Sequence, residues 1–424
     1  MAHGPMLAFV AATASALGAC HARARSVPAS LDPRGRPPAT LGTHTEIRVD
    51  DLPPPDLGAS ADNPPRIVPR PPGVELHLPP GFSIRPFAEG GFESPRWLAL
   101  APNGDIFLAD SAAGTIWVLR DTTGSGVAGA RFAFATGLHQ PFGMAFHDRW
   151  FYVADTDALL RFGYATGQTE ATGAPEPIAA LPGRGYHQHW TRNIVFSPDG
   201  TTMFVSVGSE TNDDDDPEPR ASILAMRPDG TGARLFARGL RNPVGLAIHP
   251  TTRTLWAAVE ERDRLGDDLV PDYVTEVREG GFYGWPFAYL GSHEDPRHKG
   301  ERPDLIAQSI VPDVLIQAHS AVLGLAFYQG AMFPSDYKGD AFVALHGSWN
   351  RSKRTGYKII RVPFQGQRPR GGYDDFALGW MLDELSRDVW GRPVGLLVAK
   401  DGALLIADDG ANMIWRVSYV HATE

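Results

Sequence analysis

SPRWLALAPNGDIFLADSAAGTIWVL, from Ser94 to Leu119, sets the pattern that decides the fold. A short apolar strand leads through a Pro-Asn-Gly-Asp turn to a second apolar strand, which ends on Asp110, and a further strand, TIWVL, follows. The same phrase recurs from Gln140 (QPFGMAFHDRWFYVADTDALLRFGY), from Thr191 (TRNIVFSPDGTTMFVSVGS) and from Arg241 (RNPVGLAIHPTTRTLWAAVEERD). It returns from Ala321 (AVLGLAFYQGAMF, then DAFVALHGSW) and from Arg392 (RPVGLLVAKDGALLIADDGANMIWRVSY). Short strands and tight turns repeating every 40–50 residues or so are the signature of a β-propeller. Six copies predict an all-β fold, a six-bladed propeller of four-stranded antiparallel blades, over residues 76–424. Long helical periodicity is absent, and DELSRDVWG from Asp383 is at most a short helix.

The chain of 424 residues is long enough for one large β-domain, and 43% hydrophobic with 21% charged residues is an ordinary globular balance. A net charge of −10 with no basic stripe argues against nucleic acid as a partner. Only five of the 39 basic residues are Lys, so an Arg needs local context before it counts as functional.

At the N-terminus, MLAFVAATASALGAC is an apolar run of signal-peptide length, too short to span a bilayer permanently. Residues 1–20 are read as an export signal. Cys20, the only cysteine, closes a lipobox-like LGAC, so it is a candidate lipidation site on a periplasmic lipoprotein whose membrane contact is through acyl chains alone. A plain signal peptide with an incidental Cys is the alternative, since no Lys or Arg precedes the apolar run. One Cys also excludes an intrachain disulfide and a CxxCH haem motif. Residues 21–75 are rich in Pro, Ala and Arg and cannot build a core; they read as a tether, or as a strap packed along the propeller.

Four stretches break the repeat where strands end: HQHWTR from His187, GLRNPVG from Gly239, EERDRLGDDLVPDY from Glu260 and LHGSWNR from Leu345. A large insertion, REGGFYGWPFAYLGSHEDPRHKG from Arg278, separates the fourth and fifth copies. Insertions on one face of a radial repeat are where function is commonly built. TNDDDDPEP from Thr211 reads as a solvated acidic loop, with a second calcium site as the sharper alternative.

Taken together, HWTRNIVFSPDG, GLRNP, ERDRLGDDLVPDY, GGFYGWP, HGSWNRSKRTGY and RPVGLL resemble the quinoprotein sugar dehydrogenases. These are six-bladed propellers that use pyrroloquinoline quinone (PQQ), and the likeness is greatest to the L-sorbosone and pyranose dehydrogenase branch. It runs from about Asp51 to the C-terminus. The resemblance implies PQQ and Ca²⁺ as cofactors, a sugar oxidised at C1, and electrons passed to an external acceptor such as a membrane quinone or a cytochrome. By position it implies His189 as catalytic base, with His187 as rival, and Arg241 with Asn242 against the quinone. A neutral imidazole is a suitable base near neutral pH, and a fixed cation stabilises charge developing on a carbonyl oxygen. The carbonyls of Arg262 and Asp263, supported by Asp267 or Asp268, would hold the metal. Arg351 and Arg392 are expected at the quinone carboxylates, or Lys353 and Arg354 in their place, with Trp349 stacked on the rings and Gln140 as a donor. His346 stands near a lysine of the soluble glucose dehydrogenase branch, and Ser209 or Glu210 stands where that branch has an Asp supporting the histidine. Two other classes remain open: a propeller lactonase with a metal and no quinone, and a non-catalytic binding propeller.

Overall fold

Each repeat folds as an antiparallel hairpin, and further strands outside it complete a four-stranded blade. The computed structural model describes residue 1 and residues 41–58, 60–183 and 189–420. The chain divides into two units, Met1–Arg36 and Pro37–Glu424, and the described fold belongs to the second. Blade one runs Pro95–Leu100, Ile106–Asp110, Thr115–Arg120 and Ala130–Ala135. Blades two to five begin at Met144–His147, Ile194–Phe196, Asn242–Ile248 and Val322–Phe327. Blade six holds Pro393–Val398, Leu404–Asp408 and Met413–Tyr419. Its outer strand is Phe82–Glu89, paired antiparallel from Phe82↔Tyr419 to Glu89↔Met413, so the start of the domain closes the ring. The expected all-β, six-bladed architecture is what the structure shows.

Second strands such as Ile106–Asp110 and Met203–Val207 are buried at every position, because blades cover both faces. That explains why they read as unbroken apolar runs rather than as alternating ones. A cavity of about 360 Å³ is lined by all six first strands, among them Leu98, Met144, Ile194, Leu246, Leu325 and Leu396, and marks the axis.

The recurring Gly-Leu of the first strands in blades four to six has a packing cause. A side chain at Gly245 would meet the Leu323 carbonyl at 2.4 Å, one at Gly324 the Val394 carbonyl at 2.1 Å, and one at Gly395 the Arg96 carbonyl at 2.4 Å. Each glycine lets the next blade's first strand approach. The pairing also shifts at Pro95/Trp97, Pro243/Gly245, Val322/Leu325 and Pro393/Leu396, a bulge at the mouth of four blades. Bulges tolerate proline and re-aim neighbouring side chains.

From residue 41 to 75 the chain lies along the propeller. His44–Thr45 adds a fifth strand to blade five, and Arg66–Ile67 pairs in parallel with Asp388–Val389. Asn63 donates from its backbone to the Trp349 carbonyl at 2.7 Å. The stretch from Asp383 forms turns and the short strand Asp388–Val389; the α-helix among the described residues is Pro303–Ile306, just after the large insertion. Residues 2–20 of the expected export signal, Cys20 included, lie outside the described residues.

Candidate active site

In an antiparallel hairpin the first residue of one strand sits beside the last of the next. The pairs Asn242↔Glu260, Val322↔Leu345 and Pro393↔Asp408 therefore collect the polar interruptions at one end of the ring.

His189 lies just before the first strand of blade three, half-buried, with φ of 54°. The buried Arg192 holds this backbone by donating to the carbonyls of His189 and Thr191, both at 2.7 Å, and of Pro182 at 2.6 Å. Nδ1 of His189 lies 3.1 Å from the Ser209 carbonyl and 2.8 Å from the Ser209 hydroxyl. A carbonyl only accepts, and the hydroxyl donates to the Thr211 carbonyl at 2.7 Å. Nδ1 therefore carries the proton, and Nε2 carries the lone pair. Burial, and then the Arg241 charge, hold the imidazole well below its ordinary pKa, so it is neutral at pH 7. Of the two candidates for what orients His189, Ser209 makes the contact; the rival His187 lies outside the described residues.

Arg241 is fully buried. It donates to Asn212 O (3.1 Å), Asn212 Oδ1 (2.9 Å), Glu261 O (2.8 Å) and Asp263 Oδ2 (3.3 Å). Those four bonds leave one of its five hydrogens, on Nη1, uncommitted among the described residues. Asn242 donates to Glu260 Oε2 at 2.8 Å, while its own Oδ1 is buried without a partner. Gly208 shows how tightly these groups meet: a Cβ there would stand 2.3 Å from Asn242 Oδ1 and 2.7 Å from His189 Cβ.

Across the ring, the expected His346 and Arg392 meet two residues that the sequence did not announce, Arg96 and Asp409. His346 Nε2 lies 2.9 Å from Asp409 Oδ1, and Arg96 Nη1 donates to the other oxygen of Asp409 at 2.5 Å. Burial and the neighbouring Arg392 push His346 down to about 3 despite Asp409, so it too is neutral at pH 7. Arg392 donates from Nε to the His346 carbonyl at 3.2 Å, and its two Nη atoms have no acceptor among the described residues. Arg96 also lies 5.2 Å from the Trp190 ring, which links this cluster to the His189 loop. The available signal was the first-strand mouth itself: Pro95 of SPRW pairs with Asp110 as Asn242 pairs with Glu260 and Pro393 with Asp408, and Arg96 is the next residue, in the bulge.

The other expected cofactor contacts separate. Arg351 is spent on the Asp267 carbonyl and on Asp268 at 2.6 Å. Arg354 is buried and makes five hydrogen bonds, to Ser386, Ser348, Tyr357 and both oxygens of Asn63, so it anchors the strap and is not a carboxylate receptor. Lys353 is exposed and pairs with Glu384 at 3.2 Å. Trp349 is half-buried beside Arg264, which lies 5.9 Å from its ring. Gln140 is exposed with φ of 51° at the mouth of blade two.

The side chains of the expected metal set are engaged by protein partners. The Asp263 carbonyl already accepts from Asn212 Nδ2 at 3.1 Å and Arg262 Nε at 3.2 Å, and its carboxylate meets Arg241 and His319. Asp267 Oδ1 takes the backbone and hydroxyl of Ser352, and Asp268 is exposed against Arg351. The Arg262 side chain is turned to Asp213 at 2.9 Å and to Asp295. Asp213 is also a correction to the solvated reading of 211–219, being buried between Arg262 and Arg297. Buried carboxyl groups instead gather at Glu260, Glu261 and Asp272. Burial raises all three carboxyls, Glu261 to about 7, and Glu261 Oε1 and Asp272 Oδ2 have no partner.

The Glucose / Sorbosone dehydrogenase family model matches residues 92–348, and a TrAA12-like model matches residues 299–420. An uncharacterized protein of Borreliella burgdorferi is 28% identical over 357 residues, 81% of this chain and 91% of that one. The pyrroloquinoline quinone-dependent pyranose dehydrogenase of Coprinopsis cinerea is 24% identical over 340 residues, 69% of this chain but 46% of that enzyme, so the match spans about half its length. The holo PQQ domain of the Coprinopsis enzyme superposes with a TM-score of 0.71 at 20% identity, covering 82% of this chain and 98% of the domain. A calcium structure of a Trichoderma reesei family AA12 protein gives 0.70 at 19% identity, covering 81% and 97%. At such identities the superpositions speak for the fold.

Proposed function

The chain belongs to the glucose/sorbosone dehydrogenase family, and from that membership we propose that it oxidises an aldose or aldosulose at C1 with pyrroloquinoline quinone. The residues present suit that group. An acidic chain has gathered the buried Arg96 and Arg241 and the half-buried Arg392 at one mouth, and both Nη atoms of Arg392 are uncommitted there, as a tricarboxylate requires. Asn242 Oδ1 adds a buried acceptor without a partner.

The observation that carries the reading is the fixed tautomer of His189. With Nδ1–H held by Ser209, Nε2 is set to take the C1 hydroxyl proton as the C1 hydride departs. Bound PQQ would accept that hydride and its two electrons, which then pass to an external acceptor. Arg241, fixed by four hydrogen bonds, places a cation that needs no reorganisation where charge develops.

Calcium is part of the proposal through the Trichoderma relative, but no step is routed through Asp263, Asp267 or Asp268, whose oxygens are engaged elsewhere. L-Sorbosone-type or pyranose-type substrates, export to the periplasm and acylation at Cys20 belong to the same proposal and rest on the sequence alone. Cys20→Ala should abolish lipid labelling; unchanged labelling removes the anchor.

The deciding experiment is reconstitution of purified chain with PQQ and Ca²⁺ followed by dye-linked oxidation of aldoses. Quinone reduction on adding sugar is the expected result. No reduction with any aldose, or lactone hydrolysis without quinone, overturns the proposal.

A further inference from the structure

One buried carboxylate in blade two lacks a partner that its counterparts possess. In blade one, Asp110 accepts the Ser94 backbone N–H on Oδ1 at 2.7 Å and the Trp117 indole on Oδ2 at 3.3 Å. In blade six, Asp408 accepts the Arg392 N–H at 2.7 Å on Oδ1, and the indoles of Trp380 (2.7 Å) and Trp415 (2.9 Å) on Oδ2. Each of Trp117 and Trp415 lies two residues beyond the residue paired with its Asp, Thr115 and Met413.

Asp155 stands at the same place in blade two. Oδ2 accepts the His139 N–H at 2.8 Å, matching Ser94 and Arg392. Ala154 pairs with Leu159, so Ala158 faces Asp155, and Leu160 fills the tryptophan position. Leucine has no N–H to give. Oδ1 of Asp155 is accordingly buried with no partner, in a residue 3% exposed. Burial raises this carboxyl to about 6. Beside it, His139 Nδ1 lies 3.2 Å from both oxygens of Asp157, and the three residues each bring a ligand atom within 4.8 Å of the others.

We propose that His139, Asp155 and Asp157 bind a divalent transition-metal ion of the zinc class, at the end of the second strand of blade two. One imidazole with two carboxylates suits Zn²⁺, whereas calcium sites are built from oxygen alone. The ion occupies the place that indole N–H groups hold in blades one and six, and neutralises a carboxylate that has no other cation in hydrogen-bond contact. Its position gives it a mechanical consequence. Asp157 O accepts from Leu181 N at 2.9 Å, and Thr156 Oγ1 donates to the Trp190 carbonyl at 3.2 Å. The turn therefore holds both ends of the segment that carries His189, and a bound ion stiffens it.

The test is calorimetric titration of ZnCl₂ into the metal-stripped full chain, kept in excess CaCl₂ so that oxygen-only sites are filled. One Zn²⁺ per chain is expected, with affinity weakened at least about tenfold in His139→Ala, where a ligand is lost outright. The His139 side chain is 57% exposed, so that variant should fold; unchanged thermal unfolding without zinc checks it. Asp155→Asn should weaken zinc binding likewise. Absence of saturable zinc binding, or equal affinity in the wild type and both variants, overturns the proposal whatever the fate of the quinone assignment.

Discussion

Nε2 of His346, at the end of a strand in blade five, lies 2.9 Å from Oδ1 of Asp409 in blade six. A carboxylate accepts, so His346 carries its proton on Nε2, whereas His189 carries its own on Nδ1. The two neutral imidazoles at this mouth therefore offer opposite ring nitrogens.

That opposition makes the base assignment testable. His189→Ala in quinone-loaded protein should slow sugar-dependent quinone reduction by about 10² to 10⁴, the usual cost of losing a general base. Quinone retention should be unchanged. Ser209→Ala should cost far less, since the Ser209 carbonyl still receives Nδ1–H. Stopped-flow absorbance reads both, and a large loss in His346→Ala with little in His189→Ala would exchange the two roles.

Both histidines also tie stability to pH. Each has a folded pKa below its ordinary 6.5, His346 at about 3, so the unfolded chain binds more protons between those limits. The stability they contribute is complete above about pH 6.5 and is lost as pH falls, for His346 down to about 3. Each adds a slope of at most about 1.4 kcal/mol per pH unit. Raised carboxyls such as Glu261 slope the opposite way between 4.5 and about 7, so the measurement is a difference. Urea unfolding at pH 7.5 and pH 5 should show a smaller loss in His346→Gln than in the wild type.

Two arginines that the sequence offered as equivalents should separate. Arg392→Gln should weaken quinone binding about tenfold or more, because a charge-assisted carboxylate contact is worth roughly 1.5–3 kcal/mol, with a modest change in unfolding. Arg354→Ala should cost about 2–4 kcal/mol of stability by freeing the Asn63 strap, with quinone affinity nearly intact in folded protein. Fluorescence titration with PQQ and thermal unfolding, run on both variants, decide it.

Gly208→Ala probes the seat of His189 without removing a polar group. Its methyl would overlap Asn242 Oδ1 and His189 Cβ, and a displacement near 1 Å costs roughly 10² in rate. Turnover should fall to about that degree while the zinc and quinone stoichiometries stay the same.

The sequence by itself determined the propeller and the end of it that does chemistry. Strand length, turn residues and the polar residues that open GLRNP and close LADS or LHGS are local features, and an antiparallel hairpin forces its opening and closing residues together. Asn242 and Arg392 stand at this mouth for that reason, while His189 and Arg241 were named as candidates through the resemblance of HWTR and GLRNP. Tertiary structure alone decided which cations are free and which are spent. Arg351 and Asp268, 83 residues apart, neutralise each other; Arg354 is consumed by Asn63, 291 residues away; Arg96 reaches Asp409 across 313 residues. Those pairings depend on closing the ring with Phe82–Glu89 and on the path of the strap, and neither leaves a periodic mark on the chain. The acidic side chains of the expected calcium loop show the same dependence: ring closure supplies Asp263, Asp267 and Asp268 with arginine, histidine and serine partners.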